Sequence, residues 1–258
     1  MISRLSAITL NTFREAVRDR VLYNLILFVL LMVASAPLFS AISIGLERLI
    51  LVNLGLSSIS FFGTVIAIFV GIGLVSKEIE KKTLYTILSR PTRRWELILG
   101  KYLGLVMTLV VNAACMTAGF YLALGIVSRG LGRADALPLV AIYFIILQFM
   151  MLTALTLLFS SFSTTIFSAI FAFALFVIGT FAEDLRNFAA VAHGLTRWLA
   201  TAAAYIVPNF STLNVIQQVA HEQPVGGGLI FYNTVYALLY SAAAITGAVL
   251  IFERRNLK

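Results

Sequence analysis

The stretch LPLVAIYFIILQFMMLTALTLLF, residues 137–159, contains no charged side chain. A transmembrane helix needs about 20 predominantly apolar residues to cross the hydrocarbon core of a bilayer. As an α-helix this stretch would rise about 34 Å, slightly more than the core thickness of about 30 Å. It therefore predicts a membrane-spanning helix.

The composition of the whole chain points the same way. Of its 258 residues, 60% are hydrophobic and 12% are charged, and the mean hydropathy is +0.99. An average soluble domain is about 45–50% apolar and about 25% charged. So little charge leaves too little polar surface for a soluble enzyme, a disordered tail or a nucleic-acid-binding domain. The chain is therefore expected in a lipid bilayer.

Five other stretches meet the same length and hydropathy requirement. Together they predict an all-α, polytopic membrane protein with six transmembrane helices in one domain, residues 1–258. The predicted spans are Val21–Ile44, Leu51–Val75, Tyr102–Val127, Leu137–Phe159, Ile166–Ala182 and Leu229–Phe252.

The distribution of Lys and Arg predicts the orientation of these spans. Fourteen of the 19 Lys and Arg residues lie before the first span, between the second and third, or after the last. The opposite loops hold Arg48, Arg129, Arg133, Arg186 and Arg197, whereas acidic residues divide almost evenly between the two sides. Because cytoplasmic loops carry the excess of Lys and Arg, both termini are predicted to be cytoplasmic.

Residues 1–20, which precede the first span, have helical periodicity. Leu10, Phe13 and Val17 share one face of such a helix, and polar residues occupy another. This pattern predicts a cytoplasmic elbow helix that lies on the membrane and leads into the first span.

The segment 183–228, between the fifth and sixth spans, is predicted to lie on the extracytoplasmic side of the membrane. It predicts amphipathic outer helices, with residues 189–207 as one helix in the membrane interface and Trp198 on its apolar face. The alternative is a seventh span, which would place the basic C-terminus outside, against the charge distribution. Glu183 and Asp184 are either solvated residues that end the fifth span or a cation-binding or gating pair.

The chain lacks the residues that common catalytic and ATP-binding sites require. A phosphate-binding P-loop needs the motif G-x-x-x-x-G-K-[ST]. When this motif is aligned on Gly100 and Lys101, Trp95 stands at the position of the first glycine and Tyr102 at the position of the Ser or Thr. No predicted span has an ionisable residue near its centre, unlike those of ion-coupled transporters. The two histidines and one cysteine are too few and too far apart for a metal site. We expect no catalytic, cofactor or metal site, and no enzymatic activity, in this chain.

The loop between the second and third spans, KEIEKKTLYTILSRPTRRWELILGK at residues 77–101, has a pattern of its own. Pro91 ends the first helix of this loop near residue 89, because proline is excluded from a helix interior. A second helix then leads into the third span. On composition alone, an amphipathic loop resting on lipid headgroups explains this pattern. Five residues at helical spacing form an apolar stripe about two turns long: Ile79, Thr83, Leu84, Ile87 and Leu88.

This loop resembles that of the ABC-2 type permeases, the membrane subunits of ATP-binding cassette transporters. The shared features are an acidic start, a Thr-Leu pair, Leu-Ser-x-Pro, a basic pair and a Leu-Gly-Lys entry into the next span. Lys82 stands where many members have glycine. The six spans, cytoplasmic termini and elbow helix agree with the family's layout along the whole chain. The matching residues are Glu78 and Glu80, Thr83–Leu84, Leu88–Pro91, Arg93–Arg94 and Leu99–Lys101.

The resemblance implies a permease with two separate ATPase subunits, which bind ATP and Mg²⁺, and a second permease chain, in either a homodimer or a heterodimer. It implies the cytoplasmic (inner) membrane of a prokaryote, contact with the lipid bilayer and no contact with nucleic acid. In such transporters a coupling helix in this loop docks on the ATPase. The implied contact residues are Glu78, Ile79, Glu80, Thr83, Leu84, Ile87, Leu88, Ser89, Arg90, Pro91, Arg93 and Arg94.

Three functions are compatible with these observations. The first is a permease, with export as the expected direction. The second is a force-transmitting subunit that passes ATPase motion to an extracytoplasmic protein without moving a substrate itself. The third is a structural membrane protein with no ATPase partner. Transport in sealed vesicles separates the first two, and purification with a bound ATPase separates both from the third.

Overall fold

A computed structural model describes residues 2–17, 28, 47–80, 94–127 and 132–254 of the chain. All regular secondary structure within these residues is helical, in agreement with the all-α prediction. Two 3₁₀ turns, Arg133–Ala136 and Ser211–Leu213, connect longer elements. The α-helices are α1 (Ile2–Ala16), α2 (Glu47–Glu80), α3 (Arg94–Val127), α4 (Leu137–Phe162), α5 (Thr165–Thr180), α6 (Ala182–Val191), α7 (Gly194–Ile206), α8 (Ile216–Ala220) and α9 (Gly227–Arg254).

Four of the described helices, α2, α3, α4 and α9, are long and apolar enough to cross a membrane. They confirm four of the six predicted spans. α5 and α6 pass the same test only together, as a pair bent by 58°, so the predicted fifth span ends in a bend at Phe181. The predicted first span, residues 21–44, lies outside the described residues. The described part of the chain thus has four candidate spans, or five if the bent pair crosses the membrane.

α4 is the central helix and packs against α2, α3, α5 and α9. Its buried side chains face all directions around the helix. A helix that is apolar all round is expected to be buried, because it has no polar face to present to solvent. The segment that predicted a membrane-spanning helix from sequence is therefore the core of the bundle.

Two glycines allow α2 to lie very close to α4. A Cβ atom at Gly63 would overlap the ring of Phe149, and one at Gly71 would lie 2.6 Å from Thr156 Oγ1. Membrane helices associate through such small-residue contacts, because lipid provides no hydrophobic driving force between them. These contacts fix the position of α2 relative to the centre of the bundle.

α1 crosses the first turns of α3 at Gly100 and Gly104. A Cβ atom at Gly100 would lie 2.6 Å from Ile8 Cγ2, and one at Gly104 would lie 2.7 Å from Thr12 Cβ. These two glycines, which form a G-x-x-x-G pattern in the sequence, therefore lie where the two helices cross closely. It joins the N-terminal helix to the third predicted span.

The buried face of α1 differs from its predicted apolar face. Thr12 and Ala16 are buried on the side that packs on α3, whereas Leu10 and Val17 are exposed. The predicted face therefore remains available for lipid, and the helix uses a second, smaller-residue face for packing.

The prediction of a single helix over residues 189–207 is wrong. Ala192 and His193 have extended backbone and separate α6 from α7. Gly194 begins α7 with a φ of +61°, a conformation that glycine adopts without steric cost. α6 and α7 pack against each other as a helical hairpin, and Leu195 and Trp198 on α7 are both 77% exposed.

Residues 208–220, which we call the cap segment, pack against the bundle through buried apolar side chains. Phe210, Leu213 and Val219 have almost no exposed surface, and α8 contacts α2 and α4. This segment covers the end of the bundle where α2 and α4 begin. We call this the Arg48 end, and the opposite end, where α1 crosses α3, the Gly100 end.

Candidate functional site

A cavity of about 490 Å³ lies between α2 and α5. α2 contributes Ser57, Ser60 and Thr64, whereas α5 contributes apolar residues such as Ile170 and Phe173. Spacings of three and four residues place the three hydroxyl groups on one face of α2. The volume lies in the range of small-molecule sites, about 300–1,000 Å³. The cavity is therefore a candidate binding site with one polar wall and one apolar wall.

Gln148 on α4 supports the polar wall from behind. Its side chain is 6% exposed, and its Nε2 donates to Ser60 Oγ at 3.2 Å and to Thr64 Oγ1 at 3.0 Å. A hydroxyl that accepts one hydrogen bond still has its own O–H proton to donate. Buried polar groups in a membrane bundle are costly unless paired, and Gln148 pairs these two while leaving them able to donate to a ligand.

The cavity is partly open, and the cap segment lines its end nearer to Arg48. The cap residues at this end are Asn214 and Ile216, of which Ile216 is buried and Asn214 is exposed. Phe61 and Phe69 line it on α2 and are 64% and 67% exposed. Access to the cavity is thus lateral, across an aromatic rim.

Hydrogen bonds hold the cap segment against α5 and α9. The Phe210 N–H donates to the Gly179 carbonyl at 3.0 Å, and the Asn209 N–H donates to Tyr236 Oη at 2.8 Å. A Cβ atom at Gly179 would lie 2.6 Å from Phe210 Cδ2. Glycine at this position allows the cap to approach α5, so the position of the cap beside the cavity depends on this contact.

A charged cluster, which we call the clasp, ties the Arg48 end together. Arg48 at the start of α2 pairs with Asp135 at 2.8 Å and with Glu222 just after α8. The Gly132 N–H donates to Asp135 Oδ2 at 2.6 Å, and Tyr121 Oη donates to the Asp135 carbonyl at 2.6 Å. The clasp therefore connects α2, α3, the turn before α4 and the segment after the cap.

The environment of Asp135 favours its ionised form. Burial by itself would raise the pKa of this carboxyl group. Hydrogen bonds from Arg48 and from the Gly132 N–H, together with the Arg48 charge, outweigh burial and hold the pKa below its ordinary value. Asp135 is thus a carboxylate that Arg48 stabilises.

The predicted ATPase-contact residues lie at the other end of the bundle or outside the described residues. Glu78, Ile79 and Glu80 form the last turn of α2, which continues without a break from the predicted second span. Arg94 is the first residue of α3, as expected for a second helix that leads into the third span. Eight predicted residues lie outside the described residues: Thr83, Leu84, Ile87, Leu88, Ser89, Arg90, Pro91 and Arg93.

Sequence reasoning missed the polar wall of the cavity. Hydroxyl and amide side chains are not ionisable, so the absence of ionisable residues from the centres of the predicted spans gives no information about them. The detectable signal was Ser57, Ser60 and Thr64 at helical spacing within α2, with Gln148 in an otherwise apolar α4. An amide in the middle of a span indicates an interhelical hydrogen bond.

Long apolar helices, exposed apolar side chains and a laterally open cavity define a polytopic α-helical membrane protein. The family model for the ABC-2 family transporter protein matches residues 6–257. The chain therefore belongs to this family of ABC transporter membrane proteins, as the loop resemblance indicated. No curated protein matches the chain significantly.

Proposed function

We propose that this chain is the permease subunit of an ATP-binding cassette exporter. It works in a prokaryotic cytoplasmic membrane with two ATPase subunits and a second permease chain. The observation that carries the proposal is the cavity between α2 and α5, in a chain of the ABC-2 transporter family. A pocket with a polar and an apolar wall provides a cargo site between α2 and α5.

The energy for transport comes from the partner ATPases. The chain has Trp95 and Tyr102 where a P-loop has glycine and Ser or Thr, so it hydrolyses no ATP itself. The loop at residues 77–101 contacts the ATPase through its apolar stripe. Because Gly100 and Gly104 pack directly against α1, a force on the start of α3 acts on α1 and α3 together.

The orientation follows from the excess of Lys and Arg in three segments of the chain. Both termini and the loop at residues 77–101 face the cytoplasm. The Arg48 end, with the clasp and the cap segment, faces outside. The cap then lines the outer end of the cavity, and exported cargo passes it.

A second permease chain completes the cargo path. The aromatic rim of the cavity, with Phe61 and Phe69, is exposed in the single chain. A second copy placed against this rim encloses the cavity within a pathway between two bundles. Two copies also match the symmetry of a pair of ATPases.

A second candidate function is force transmission to an extracytoplasmic protein. The hairpin of α6 and α7 favours it, because its exposed apolar residues include Phe188, Leu195 and Trp198. Outside the membrane interface, such a surface suits a protein partner. In this case ATPase motion reaches the partner through α5 and the bend at Phe181.

Purification from native membranes tests both candidates. The chain carries an affinity tag, and the complex is analysed for copurifying proteins, mass and Mg-ATP hydrolysis. A complex of two permease chains and two ATPases, with ATP-dependent transfer of lipid extract components into inverted vesicles, supports the exporter. An ATPase-bound complex with a stable extracytoplasmic protein and no transfer supports force transmission. A chain that purifies without any ATPase contradicts both.

A further inference from the structure

We infer that the cavity between α2 and α5 binds a single-chain amphiphile with an uncharged, hydrogen-bonding head. The head lies toward the Arg48 end, and the apolar chain extends toward the Gly100 end. The inference that this ligand binds is drawn from the cavity alone. The role of the ligand as exported cargo rests on the proposed function.

The polarity of the cavity changes along α2. Ser57, Ser60 and Thr64 line its part nearer the Arg48 end, and Ile68 and Phe69 line its part nearer the Gly100 end. Ser57 and Phe69 are separated by about 18 Å along the helix, at 1.5 Å per residue. A molecule that matches this wall has hydrogen-bonding groups at one end and hydrocarbon over the rest of its length.

The cavity selects against a charged head. Its described lining contains no Asp, Glu, Lys, Arg or His residue. Burial of an unpaired charge in an apolar environment is strongly unfavourable. The side chains nearest to a head are Ser57, Ser60, Thr64 and Asn214. Ser57 Oγ donates to Asn53 Oδ1 at 3.2 Å and can still accept a hydrogen bond from a ligand. The other three side chains can donate to a hydroxyl, ester or amide group. The head is therefore polar and neutral.

The opposite wall of the cavity and its access fit a hydrocarbon chain. α5 forms the opposite wall with Ile170, Phe173 and Phe176, which are apolar side chains suited to a hydrocarbon chain. Entry occurs across the exposed rim formed by Phe61 and Phe69, so an amphiphile reaches the site from the surrounding lipid without passing through water.

A photoactivatable monoacylglycerol with a diazirine in its acyl chain tests this inference. The full-length chain is placed in phosphatidylcholine nanodiscs, and crosslinked peptides are mapped by mass spectrometry. Two probes of equal chain length serve as comparisons: the fatty acid at a pH where it is ionised, and an alkane without a head. We expect saturable labelling by the monoacylglycerol near Phe69 and Phe173, and weak labelling there by both comparison probes.

Two variants and a matched control separate the cavity from the lipid-facing surface. Ala169 lines the cavity, so Ala169→Phe fills it, whereas Ala174→Phe places the same ring on an exposed position of the same helix outside the lining. Ser57→Ala removes one hydroxyl from the polar wall. We expect Ala169→Phe to abolish saturable labelling, Ala174→Phe to preserve it, and Ser57→Ala to weaken binding by about fivefold.

The outcomes also distinguish this inference from the proposed function. Equal labelling by the headless alkane, preference for the ionised fatty acid, or labelling unaffected by Ala169→Phe overturns the inference. Saturable binding by a chain purified without ATPase supports the site even if the transporter proposal fails. ATP-dependent export from a complex whose cavity binds none of the probes overturns the inference while the proposed function stands.

Discussion

Arg48 and Asp135 are 87 residues apart in the chain, yet Arg48 Nε and Nη2 both donate to Asp135 Oδ1, at 3.2 and 2.8 Å. The pair joins the start of α2 to the turn that precedes α4. Since Asp135 is buried and Glu222 binds the same guanidinium, the clasp holds the cap segment as well as the two helices.

Asp135→Asn should therefore destabilise the folded chain. The substitution keeps the shape of the side chain but removes the charge that pairs with Arg48, a loss of about 2 kcal/mol for a hydrogen bond between charged groups. The midpoint temperature of unfolding in detergent measures the effect. Asp184→Asn, at an exposed position of α6, is the matched control and should leave the midpoint unchanged. An equal midpoint for both variants would show that the clasp contributes no stability.

The clasp should also make stability depend on pH. The folded pKa of Asp135 lies below the ordinary value of 3.8. Its contribution is therefore complete above pH 3.8 and is lost as the pH falls through the lower folded pKa. The difference in unfolding free energy between the natural chain and Asp135→Asn should shrink below pH 4. A difference that stays constant from pH 6 to pH 3 contradicts this assignment.

Gly104→Ala should loosen α1 from α3. The added methyl group would lie 2.7 Å from both Thr12 Cβ and the Thr9 carbonyl oxygen, so the helices must separate, at a cost of about 1–3 kcal/mol. Faster proteolysis of residues 1–17 in detergent measures the effect. Gly125→Ala is the matched control on the same helix, because its Cβ would meet nothing within 4 Å. Equal proteolysis of the two variants would argue against a tight crossing.

The parts of the fold that sequence predicts are those set by local hydropathy. α4 follows from 23 residues without charge, and α2, α3 and α9 follow from similar stretches. The break at Ala192 and His193 was missed because the apolar periodicity continues across it. Gly194, with its positive φ, is the one local sign of the break, and an isolated glycine in an apolar helix is too common to identify it.

The candidate site was harder to predict, because it depends on contacts between distant residues. Ser60 and Gln148 are separated by 88 residues, and nothing in the local sequence shows that they meet. The residues of the clasp are also far apart in the sequence, since Arg48 and Glu222 come from opposite halves of the chain. The polar nature of each residue was visible, but their partners are determined by helix packing.

The charge distribution predicts which positions each side of the membrane can reach. Lys82 and Lys258 should be cytoplasmic, and Arg129 and His221 should be outside. Single cysteines at these positions, in a Cys115→Ser background, are labelled with a membrane-impermeant maleimide in intact cells. We expect labelling at 129 and 221 only, and labelling at all four positions after the cells are opened. Labelling at 258 in intact cells would contradict the six-span topology.

The last prediction concerns the loop at residues 77–101. Leu84→Asp or Leu88→Asp should uncouple the ATPase, because each places an unpaired charge in the stripe expected to lie in an apolar groove of the partner. Leu84→Ile, which keeps the side chain apolar, is the matched control. Copurified ATPase and ATP-dependent transport are measured together with the amount of chain in the membrane. In each Asp variant we expect the amount of copurified ATPase and the rate of ATP-dependent transport to fall at least about tenfold, which corresponds to 1.4 kcal/mol. The amount of chain in the membrane should stay normal, and Leu84→Ile should behave like the natural chain. If both Asp variants retain ATPase and transport, the loop rests on lipid headgroups and the coupling contact lies elsewhere.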